Sequence, residues 1–70
     1  MNLERMVEVR DAVHALCALV DAGQFEPTNA QMYAVAVVVQ REAGPLAHDL
    51  LCQLAARCQA GRAALKASAS

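Results

Sequence analysis

Aromatic residues are nearly missing. The chain has one Phe, one Tyr and no Trp among 70 residues, although 57% of it is hydrophobic. Ala, Val and Leu carry the apolar content, and these side chains pack helices closely and suit bundle interiors. A surplus of one charge sign is missing too. The formal net charge is -1, so no broad basic field draws phosphate. Charge is split along the chain: Glu4, Glu8, Asp11, Asp21, Glu26 and Glu42 come first, and Arg57, Arg62 and Lys66 close the last third. This split favours segments of opposite sign lying side by side, although each exposed pair is worth only a fraction of a kcal/mol.

Export and membrane signals are also missing. The opening Met1-Asn2-Leu3-Glu4-Arg5 places charges where a signal peptide needs an uninterrupted apolar core. The longest uncharged run, Pro27 to Gln40, falls short of the ~20 apolar residues of a spanning helix and carries Thr28, Asn29 and Gln31. A soluble cytoplasmic protein is expected, with no membrane partner. Its three cysteines, an odd number, argue for reduced thiols over a disulfide framework, with Cys17, Cys52 and Cys58 serving as small core hydrophobes. No internal repeat or low-complexity segment is visible.

Helices remain. Met6, Val9, Val13, Leu16 and Val20 recur at spacings of three and four, opposite Glu4, Glu8, Asp11, Ala15 and Ala18, which predicts an amphipathic helix over about 3–22. Gly23 ends it, being the residue best able to take a left-handed conformation. Phe25 is expected to turn inward and plug the end of the bundle. Thr28-Asn29-Ala30-Gln31 matches a capping box and starts a helix over about 29–43. Within it, Met32 to Val39 is apolar all round. Its β-branched residues also suit an intermolecular strand, but the capping box, the interleaved Ala residues and the flanking Gln31, Gln40, Arg41 and Glu42 favour the helix.

Gly44-Pro45 interrupts the pattern as a break or a kink. A helix over about 45–66 follows, with Ala47, Leu50, Leu51, Leu54, Cys58, Gly61 and Leu65 on its apolar face and a frayed tail at 67–70. Asp49 near its start and Arg57, Arg62 and Lys66 near its end complement the helix dipole. The expected fold is one all-α domain over 1–70, a short bundle of three helices or a hairpin with a kinked second helix. Domains this small bury only about 60% of their unfolded surface, so oligomerisation is expected to complete the core.

Three constellations bear on function. His14 with Cys17 and His48 with Cys52 share helix faces by spacing, and together they would offer a zinc-type ligand set. This spacing is less specific than paired Cys-x2-Cys motifs, and no cofactor is otherwise implied. Cys52 and Cys58, six apart, lie about 240 degrees round a helix and cannot form a redox pair on one face. No oxyanion hole or substrate pocket accompanies any Cys-His combination, so no enzymatic activity is expected.

Helix two, the Gly44-Pro45 interruption and helix three also invite comparison with helix-turn-helix proteins. Arg57, Arg62 and Lys66 are the candidate phosphate contacts, but they come late in the helix and its front offers Leu46, His48, Asp49 and Gln53. The strongest feature is the apolar surplus itself, which a helix-helix partner would cover. Met32, Val35, Val38, Val39, Leu50 and Leu54 are the candidate interface. The expected function is a non-catalytic interaction module, a small regulator or adaptor that pairs with itself or with an amphipathic helix of another protein. The alternatives are a DNA-binding regulator, a secretion-type co-chaperone and a His/Cys metal-binding bundle. The general plan recurs among small phage and plasmid regulators and secretion co-chaperones, and no motif ties the chain to either.

Overall fold

The computed structural model describes residues 2–69. Among them the regular structure is helical with no strand: α1 spans Leu3–Asp21, α2 Asn29–Glu42, α3 Ala47–Arg57 and α4 Gln59–Ala69, with a 3-10 turn over Gly44–Leu46.

Each boundary has a local cause. The Asn2 side chain accepts the Arg5 N–H at 3.2 Å and starts α1. At the other end Gly23 has φ 71°, its N–H donates to Val20, and the Gln24 N–H donates back to Leu19. That pair of bonds is the glycine-terminated motif that satisfies the last carbonyls of a helix. The capping box forms in full, with Thr28 Oγ1 accepting from Gln31 N at 3.1 Å and Gln31 Oε1 accepting from Thr28 N at 2.8 Å. Met32 to Val39 is accordingly helical. Gly44 takes φ 53° beside the fully buried Ala43, and Pro45 opens the 3-10 turn. The chain breaks there and folds back.

The single helix expected over 45–66 is two helices. Cys58 adopts extended backbone, φ -153° and ψ 153°, between them. Its Sγ accepts the Gly61 N–H at 3.2 Å and donates to the Leu54 carbonyl at 3.4 Å, so the thiol caps α4 while bonding the end of α3. Arg62 Nε also donates to the Ala55 carbonyl at 2.9 Å. These bonds replace the helical ones that the break removes. The backbone expected to fray is helical through Ala69, and Ser70 lies outside the described residues.

Both α2 and α3 touch every other helix, whereas α1 and α4 flank that pair without meeting. The molecule measures 32 × 28 × 17 Å. With helices about 8–10 Å apart, the short dimension admits only two layers, so each helix keeps an outer face. The core joins Val13 and Cys17 of α1, Met32, Ala36 and Val39 of α2, Leu50, Leu51 and Leu54 of α3, and Ala60 and Ala64 of α4. The α1 stripe is turned slightly from its expected register: Cys17 is buried, while Leu16 and Val20 are only half-buried. Phe25 lies half-buried at the bundle end, beside a concavity shared with Val20, Pro27 and Cys58. No polar or charged residue is buried among the described residues.

Candidate functional site

An open groove of about 510 Å³ runs between α1 and α2. Val9, Ala12, Val13 and Leu16 form one wall, and Ala34, Val35, Val38 and Val39 form the other. Seven of these eight side chains are the short Ala or Val. Arg5 holds one end, through Glu42 on α2 at 3.5 Å and Glu8 on its own helix at 3.1 Å. No aromatic side chain lines the groove.

The outer face of α2 continues the groove. Ala30, Ala34 and Val38 form one row at spacing four, with Tyr33, Val37 and Arg41 in the next, and all six are exposed. Tyr33, Val37 and Val38 keep 44%, 51% and 45% of their surface in solvent. Leu19, also exposed, falls on the side of α1 that bears Ala12 and Leu16.

Of the residues expected at an interface, Met32, Val39, Leu50 and Leu54 are buried in the chain's own core, because α3 and α4 fold back over α2. Val35 is half-buried and Val38 exposed, both on the groove. Tyr33 and Val37 were not singled out by sequence. Their signal was the apolar periodicity of α2, which has two apolar faces and does not say which one turns inward.

The four candidate metal ligands do not assemble within one chain. Among the described residues no three of His, Cys, Asp or Glu stand together as a metal-binding group. His14 is exposed while Cys17 is buried. Burial pushes the Cys17 thiol above its ordinary value, with nearby Asp21 and Cys58 adding to the effect and Arg57 opposing it. His48 and Cys52 do meet on α3, with Nε2 and Sγ 3.5 Å apart. All three thiols are free.

The basic residues near the end of the chain are partly engaged in intramolecular bonds. Arg57 Nε bonds Asp21 Oδ2 at 3.2 Å and its Nη1 bonds the Gln53 carbonyl at 2.9 Å, tying the end of α3 to α1. Arg62 holds the Ala55 carbonyl, and Lys66 is exposed on α4.

Fold and groove together define a small all-α domain with an open apolar face. No helix among the described residues is long and apolar enough to cross a membrane. Comparison with known protein families, curated proteins and solved structures finds no match to this chain.

Proposed function

We propose that this chain is a non-catalytic interaction module of the cytoplasm that pairs with a second copy of itself through the α1–α2 groove. The observation that carries the reading is the groove beside the exposed α2 face, because one surface then presents both a ridge and the recess that receives it. Such a surface is self-complementary, which a two-fold contact requires. Rows at spacing four from two copies interlock in the commonest helix-helix geometry. Arg5 and Glu8 supply both charge signs at the rim, so two copies meet without like-charge excess. The three free thiols suit a reducing compartment.

Light scattering across a concentration series tests the reading. A mass rising from one chain to two supports it, and Val38→Asp is expected to hold the protein at one chain. Burying the exposed half of Val38 is worth about 1 kcal/mol in each copy. Losing it twice weakens pairing roughly thirtyfold, before any cost of desolvating the carboxylate. A wild-type protein that stays a single chain at high concentration refutes self-pairing, and an amphipathic helix of another protein then becomes the occupant to seek.

A further inference from the structure

His48 and Cys52 are separated by one turn on the outer face of α3, away from the groove. His48 is exposed and Cys52 half-buried. Their Nε2 and Sγ atoms stand 3.5 Å apart. Zinc binds thiolate sulfur at about 2.3 Å and imidazole nitrogen at about 2.0–2.1 Å in tetrahedral geometry, so two such donors on one ion stand about 3.5 Å apart. The pair therefore already has the bite of a tetrahedral chelate. Two ligands at this helical spacing are a recognised zinc-binding arrangement. Their 3.5 Å separation is also that of a thiol–imidazole hydrogen bond, so a metal ion replaces the thiol proton.

One chain supplies only half of a tetrahedral set. No third His, Cys, Asp or Glu joins the pair among the described residues, and the adjacent Asp49 points about 100 degrees round the helix. A second copy of the same pair completes two imidazoles and two thiolates.

We propose that His48 and Cys52 from two copies of this chain bind one zinc ion, linking the copies through α3. Each Cys52 thiol gives up its proton to solvent, each His48 binds through Nε2, and the two thiolates neutralise the divalent ion. His48 also lines a concavity at the α2–α3 turn, together with Gln40, Pro45, Leu51 and Leu65. This site does not depend on groove pairing, because it lies on another helix face.

Cobalt(II) and zinc(II) titrations of the reduced 70-residue chain test the proposal, with Val38→Asp as a second background in which groove pairing is suppressed. The expected result is half an equivalent of metal per chain, with thiolate-to-cobalt charge-transfer bands and the visible bands of tetrahedral cobalt. Zinc should also double the mass of the Val38→Asp protein. His48→Ala and Cys52→Ser, each checked by circular dichroism for an unchanged helix content, should abolish both the bands and the mass change. His14→Ala should leave them intact. One metal per chain, a spectrum without thiolate bands, equal loss in His14→Ala, or no binding would each overturn the proposal. Failure of groove pairing alone leaves these readouts unchanged.

Discussion

Gly61 lies so close to Leu54 that a Cβ at position 61 would stand 2.8 Å from both the carbonyl carbon and the carbonyl oxygen of Leu54. The obstacle is backbone, so no rotamer change relieves it. Elsewhere in a helix, replacing Gly by Ala gains about 1 kcal/mol. Here the gain is outweighed by overpacking, which typically costs about 1–3 kcal/mol even where side chains are able to shift. Gly61→Ala should lower the urea midpoint of unfolding. A raised midpoint would show that α4 does not approach α3 this closely.

The sulfur that caps α4 gives a second prediction. Loss of a side-chain cap costs about 0.5–2 kcal/mol where the acceptor is oxygen, and sulfur belongs at the weak end. Cys58→Ala should expose the Gly61 amide to faster hydrogen exchange and loosen α4 ahead of α1. Cys58→Ser should keep that amide protected, since a hydroxyl also accepts from it. Equal exchange in both variants would remove the thiol from its capping role.

Cys17 predicts a pH dependence. Burial, the largest cause, raises its thiol from an ordinary value near 9.0. The folded protein then holds the Cys17 proton more tightly than the unfolded chain does. The stability due to the neutral thiol is complete below the unfolded value and is lost as pH rises through the folded one. Unfolding midpoints should fall as pH rises above the ordinary thiol value of 9.0, and Cys17→Ala should flatten that decline at a lower overall stability. An unchanged slope in the variant would place the effect elsewhere.

The bond between Arg57 and Asp21 joins α3 to α1 across a partly exposed surface at 3.2 Å. Pairs of this kind are worth about 0–1 kcal/mol. A double-mutant cycle of Arg57→Ala with Asp21→Ala should give a coupling energy in that range that shrinks in high salt. A coupling of several kcal/mol would mean that the pair is far less hydrated than its exposure indicates.

Much of this fold was legible residue by residue. The spacing of Met6, Val9 and Val13, the Thr28–Gln31 box, Gly23 and Gly44-Pro45 act within a few neighbours, so sequence carries them. The break at Cys58 was not legible, because no Pro or usual capping residue stands there. It depends on the Leu54 carbonyl meeting a bare Gly61, a contact that exists only after α4 has folded back. The same folding back turned Met32, Val39, Leu50 and Leu54 into core and left Tyr33 and Val37 outside, where periodicity had offered two equivalent faces. His14 and Cys17, three apart, and His48 and Cys52, four apart, each share a helix face by spacing, but the first pair is divided by burial and only the second brings its donor atoms together.

The proposed pairing seats a second copy in the α1–α2 groove. Isotope-filtered nuclear Overhauser spectroscopy tests it most directly, using a sample that mixes labelled and unlabelled chains at a concentration where scattering gives two chains. Cross-peaks from the Val35 and Val38 methyl groups of one copy to Tyr33 or Ala34 of the other are the predicted result. A two-chain species with intermolecular peaks only from other surfaces, or a single chain at every concentration, would contradict it.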